Sequence, residues 1–188
     1  LSRYLLAACY RDMHLYADCQ KWANMAEEEA DTLDANFNFD YLYKVCCMRA
    51  YVFLYIFDYQ LSLEDYYRAA YYAKKSGNKL KMTEALFRAG HVHILLGNYD
   101  KAKHLIKRCI TLYEECKVKN PVFVTSCLLQ LAEIEIAENH AEKAGQYLAE
   151  AEKRANGQFA YNSYILGNGL TAYLPHKGDW YELNNDYQ

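Results

Sequence analysis

Apolar side chains recur at helical spacing through most of the chain, and short polar breaks separate one apolar stretch from the next. The clearest break lies within Ala89-Gly90-His91-Val92-His93-Ile94-Leu95-Leu96-Gly97-Asn98-Tyr99-Asp100-Lys101-Ala102. Gly stops a helix and Asn caps the next one, so the pattern predicts a helix ending at Leu96, a turn at Gly97 and Asn98, and a second helix opening at Tyr99. Small residues at Gly90, Ala102 and Cys109 let the backbones of such a hairpin approach closely, because the side chains at the contact set the interaxial distance. The pattern then repeats. Tyr99 has counterparts at Tyr16, Tyr59, Ala141 and Trp180, at successive spacings of 43, 40, 42 and 39 residues, the signature of a repeat array.

Start and stop signals divide the chain into units at about 1–34, 38–77, 79–118, 120–157 and 159–188, together forming one repeat domain. The first unit pairs a helix over Ser2–Met13 with one over Ala17–Thr32. Gly77 closes the second unit, and Asn120-Pro121 opens the fourth with an N-cap followed by proline at the first helical position. The last unit turns at His176-Lys177-Gly178-Asp179 and stops at Gln188, short of completing its second helix. Solenoids finish with a polar cap, so the expectation is that these residues are part of a longer protein. The longest apolar run, Val45–Phe57, is interrupted by Arg49 and is too short to span a bilayer, which takes about 20 residues. It reads as a buried helix.

Small residues at Ala7, Cys19 and Ala26, at Ala50, Ser62 and Ala69, at Gly90, Ala102 and Cys109, and at Ala132, Ala144 and Ala151 follow one scheme, with Tyr16, Tyr59 and Tyr99 ahead of the second helices. This scheme resembles the tetratricopeptide repeat (TPR). The fourth unit departs from it with Ala141 at the aromatic place, and the fifth with Thr171 and Leu183 at small places. The resemblance implies an all-α fold, a right-handed α-solenoid of antiparallel helix pairs, whose first helices line a concave groove. Periods of 39 to 43 residues exceed the 34 of the standard repeat and look like those of regulatory members.

The residues that the resemblance places in the groove or beside it are Tyr4, Lys44, Cys47, Tyr51, Glu84, Phe87, Arg88, His91, Leu129 and Glu133. In chaperone-binding members Lys and Asn clamp a terminal carboxylate. Tyr4, Ala8, Cys47 and Tyr51 stand at those places here, which disfavours that clamp and suits an apolar or aromatic peptide or a helix laid into the groove. The expected function is therefore a protein-interaction module with a protein or peptide partner, serving as the regulatory or sensing part of a larger signalling or transcription-regulator protein. The alternative is a structural scaffold that self-associates as a homo-oligomer through Tyr66, Tyr67, Tyr71 and Tyr72.

Composition narrows the classes. Twenty-one basic against 24 acidic residues give a net charge of −3, which supplies no basic field for a phosphate backbone. No nucleic acid and no membrane insertion are expected. Seven cysteines, an odd number without CxxC spacing, read as free thiols in a reducing cytoplasmic setting. His91 and His93, two residues apart on a helix, face different ways and cannot share a metal. Cys109, Cys116 and Cys127 lack the tight pairing of structural zinc ligands. Glu27-Glu28-Glu29 reads as a solvated helix face. No phosphate loop, nucleophile elbow or HExxH motif is present, so no enzyme activity, cofactor or metal is expected.

Overall fold

The computed structural model describes residues 2–31, 39–117 and 121–155. The expected fifth unit, with Thr171, Trp180 and Leu183, lies outside the described residues. Eight α-helices and no strand occur among those described: α1 (Ser2–Asp12), α2 (Tyr16–Asp31), α3 (Phe39–Tyr55), α4 (Tyr59–Lys75), α5 (Lys79–Leu95), α6 (Tyr99–Glu115), α7 (Pro121–Ala137) and α8 (Ala141–Ala155). The fold is the all-α array of helix pairs that the repeat pattern predicts.

Each second helix opens at the residue that marks the repeat: Tyr16, Tyr59, Tyr99 and Ala141. Two residues before each of them the backbone turns left-handed, with φ of 58° at His14, 62° at Phe57, 71° at Gly97 and 60° at Asn139. One turn geometry is thus used four times with four different residues, and only Gly97 adopts it without steric cost. Asp58 then caps α4 by accepting from the Leu61 N–H at 3.2 Å, and Asn78 caps α5 by accepting from the Lys81 N–H at 3.0 Å. Between them Gly77, also at φ 71°, ends α4.

By their contacts the residues form two compact units, Leu1–Asn98 and Tyr99–Gln188. In the first, α1 packs on α2, α2 on α3, α3 on α4 and α4 on α5, while α1 also touches α3. The small residues do what the pattern requires: Ala7, Cys19, Ala26, Ala50, Ser62 and Ala69 are fully buried. Ser62 Oγ donates to the Ala50 carbonyl at 2.8 Å, a bond possible only where two helix backbones lie close together. The Tyr4 and Tyr41 rings meet at a tilt with centroids 5.9 Å apart, and those of Tyr16 and Tyr55 at 5.8 Å. Tyr4 and Tyr41 lie near the starts of α1 and α3, while Tyr16, just past the end of α1, meets Tyr55 at the end of α3, so α1 and α3 run the same way. Asp40 pairs with Lys81 and Tyr43 with Glu84, so α5 runs that way too. In the second unit, α6 packs on α7 and α7 on α8, around buried Ala102, Cys109, Ala132, Ala144 and Ala151.

One expectation is corrected. Glu27 does not belong to a solvated face. It reaches Arg49 at 2.7 Å and pairs with Arg68, because Arg49, 7% exposed, needs counter-charges inside the packing. Asp65 supplies the other, gripping the Arg49 guanidinium through two bonds of 2.6 Å, and Asn24 accepts at 2.8 Å. The polar residue that interrupts the apolar run therefore ties α2, α3 and α4 together.

Candidate functional site

The first unit holds a concavity of about 430 Å³. Its walls come from one face each of α1 (Tyr4, Arg11, Asp12), α3 (Tyr43, Lys44, Cys47, Met48, Tyr51) and α5 (Glu84, Arg88), with Tyr66 of α4 behind. Residues three, four and seven apart share a helix face, so Tyr43/Lys44, Cys47/Met48 and Tyr51 form one stripe on α3, and Glu84 and Arg88 one on α5. The first helices of three successive repeats thus line a single trough.

Six of the ten residues named from the sequence line this concavity: Tyr4, Lys44, Cys47, Tyr51, Glu84 and Arg88. Phe87 lies in the packing at 8% exposure and His91 is half-buried on α5, neither of them in the lining. Leu129, 4% exposed, and half-buried Glu133 belong to α7 in the second unit. Arg11, Asp12, Tyr43, Met48 and Tyr66 are lining residues that the sequence reading did not name. Helical spacing carried the signal for four of them: Arg11 and Asp12 continue the stripe begun by Tyr4, and Tyr43 and Met48 flank the stripe of Lys44, Cys47 and Tyr51.

The electrostatics of the trough are uneven. Arg11 is paired with Asp12 at 2.8 Å, and Lys44 with Asp40 at 3.2 Å, an aspartate that also takes Lys81. Arg88 forms no ion pair with any described residue, and neither does Glu84, which accepts from the Tyr43 hydroxyl at 3.5 Å. Burial raises the Glu84 carboxyl above its usual range, partly offset by Arg88. Burial also pushes the Cys47 thiol up to about 11 and the Tyr66 hydroxyl to about 12. Tyr51 rises to about 12 through burial and its hydrogen bond with Tyr55. At neutral pH the trough therefore presents protonated hydroxyls and a protonated thiol, groups that bind rather than attack.

The other sequence candidates fall elsewhere. Tyr66, Tyr67, Tyr71 and Tyr72 do not make one surface: Tyr66 is 1% exposed and turned into the packing, the Tyr67 hydroxyl lies 2.9 Å from His93 Nε2, and Tyr72 stacks on Phe39. Cys109 and Cys127 are buried, and burial pushes the Cys109 thiol up to about 12. Among the described residues, Glu135, Glu138 and His140 bring ligand-type atoms within 4.8 Å of one another. Lys103 Nζ stands 3.1 Å from Glu135 and pairs with Glu138, so an ammonium already fills the cation position. Against the opposing effect of burial, hydrogen bonds from His140 and Lys103 hold the Glu135 carboxyl below its usual range. The cluster ties α6 to the turn between α7 and α8. No helix among the described residues is long and apolar enough to cross a membrane.

Helix pairs repeating near 40 residues, with first helices lining a trough, define a TPR-like helical-repeat fold, and solved structures agree. The chain resembles RapI in its apo form with a TM-score of 0.72 at 15% identity, covering 96% of this chain and 66% of that one. A Rap conjugation gene regulator of plasmid pLS20, solved in complex with the Phr* peptide, matches with a TM-score of 0.66 at 15% identity over 96% of this chain and 51% of its own. The TPR-like repeats of a kinesin light chain from Podosopora anserina match at 0.67 and 13% identity, over 100% and 87%. The chain thus spans between half and two thirds of the length of these two Rap proteins. No protein-family model matches the chain, and no curated protein matches it in sequence.

Proposed function

We propose that this chain is a protein-interaction module whose ligand, a peptide segment of a partner, occupies the trough between α1, α3 and α5, as the regulatory or sensing part of a larger protein. One observation carries the reading: a concavity of about 430 Å³ holds a cation, Arg88, hydrogen-bonded to Tyr66, and a carboxylate, Glu84, hydrogen-bonded to Tyr43, neither of them in a direct ion pair with a described residue, among tyrosines that can stack and donate. A peptide group offers an acceptor to the first and a donor to the second, and pockets with a few convergent polar groups on an apolar wall are the usual form of binding sites. The likeness to a Rap protein solved with a peptide supports the same class of ligand.

The test is selection of a random library of peptides of about a dozen residues, extended reach ~40 Å, on the wild-type chain, followed by anisotropy titration of the selected peptides. Tyr51→Ala and Arg88→Ala, both at half-buried or exposed positions, should each weaken binding by about tenfold or more while leaving the circular dichroism spectrum unchanged. Peptides that bind wild type and both variants equally would overturn the reading.

A further inference from the structure

The trough has two unlike ends. Because α1, α3 and α5 run the same way, their N-terminal ends share one edge, where Asp40, Lys44 and Lys81 form a charged cluster. Their C-terminal ends share the opposite edge. There the trough lining ends in Arg11, Asp12 and Tyr51, and the residues that follow are apolar and open to solvent: Met13 is 63% exposed, Leu15 44%, Tyr55 47%, Ile56 46% and Phe57 76%. Rings connect the lining to this edge without a gap, since the Tyr51 and Tyr55 centroids lie 4.5 Å apart and Tyr55 lies 5.8 Å from Tyr16. Scattered exposed apolar residues are ordinary, but several large ones together on two adjacent turns mark a surface meant to be covered.

Phe57 sharpens the point. It holds the left-handed turn position that Gly97 holds in a later repeat, so the most exposed aromatic of the edge sits where an aromatic residue costs most. Arg11, the cation of the trough lining beside this edge, is paired with Asp12 at 2.8 Å, which leaves it a weak anchor for an anionic lipid surface.

We infer that the peptide in the trough continues across this edge and seats apolar side chains, aromatic ones best, on Met13, Tyr55 and Phe57. The inference rests on the trough reading above and adds its direction: the ligand is polar at the end near Asp40 and Lys81 and apolar at the end that crosses the α3–α4 turn. A trough of this volume holds only a few residues of such a segment, so the remainder must leave over one edge or the other.

The peptides selected above serve as the probe, tested on the full chain. Phe57→Asn, which tolerates the left-handed backbone, is combined with Tyr55→Ser. The double variant is expected to bind about tenfold more weakly than wild type. Removing the apolar end of a selected peptide should weaken its binding to wild type equally and its binding to the variant no further. If the double variant binds as wild type does while Arg88→Ala still weakens binding, the edge is refuted and the trough stands. If binding survives Tyr51→Ala and Arg88→Ala as well, the trough reading falls and takes the edge with it. Sedimentation that shows a wild-type dimer broken by Phe57→Asn would assign the edge to a second copy and overturn the inference.

Discussion

The two sides of α3 put the same kinds of residue to opposite uses. Toward α2 and α4, Arg49 meets Asp65, Glu27 and Asn24 at 2.6 to 2.8 Å, so every buried charge has its complement inside the protein. Toward α1 and α5, the stripe of Tyr43, Cys47 and Tyr51 faces Arg88 and Glu84, which contact no opposite charge among the described residues. Burial forces the first set to pair, since an uncompensated buried charge costs several kcal/mol. Solvent permits the second set to stay open. Paired charges here report how the chain folds, and the open ones are those that the proposed ligand would meet.

Breaking the paired side should give the largest effect. Arg49→Leu leaves Asp65, 3% exposed, with only the half-exposed Arg68 at 3.3 Å, and should lower stability by about 3 kcal/mol in urea unfolding. Replacing Asp65 by Leu as well should recover much of that loss, because the remaining carboxylate, Glu27, keeps Arg68. A loss under about 1 kcal/mol in the single variant would place the Arg49 contacts outside the stabilising core of the fold.

A smaller effect belongs to the turn at the end of α3. Phe57→Gly removes the cost of a left-handed aromatic at φ 62° and should raise stability by about 1 kcal/mol, visible as a higher urea midpoint at unchanged slope. No added Cβ would meet a neighbour at Gly97, so the reverse change, Gly97→Ala at φ 71°, isolates the backbone term and should cost a similar amount. If both changes are silent, the left-handed geometry is not what these turns require.

The smallest effect comes from the open side and depends on pH. Burial raises the folded pKa of Glu84, so the folded state binds a proton more readily than the unfolded state and the penalty for the ionised form grows as pH rises through the folded pKa. Glu84→Gln removes that penalty and should stabilise slightly at pH 7, within about 0.5 kcal/mol. The gain should vanish below the unfolded value near 4.5. A variant less stable than wild type at pH 7 would show that Glu84 has a compensating partner.

Most of the fold was legible in the sequence. The markers Tyr16, Tyr59, Tyr99 and Ala141 open α2, α4, α6 and α8, and the small residues of the scheme are buried, because both depend on local turn chemistry and on a period that a linear pattern displays. Much of the trough was legible for the same reason: Lys44, Cys47 and Tyr51 share a face by spacing alone. Phe87 and Tyr66 were misplaced because helices packed on both sides bury more than one stripe, and a single-helix periodicity cannot say which neighbour covers which flank. Glu27 escaped for a different cause. Its partner Arg49 lies 22 positions away on another helix, a distance that no local pattern reports.

The sequence by itself determined the helix pairs, their turns and the small contacts that draw them together, since these follow from backbone preferences and from side-chain size within a residue or two. Only the tertiary structure decided which charges are spent on the fold and which are left open. That depends on which helices meet and how far each side chain is withdrawn from water, and desolvation is a property of the packed molecule rather than of any segment of it.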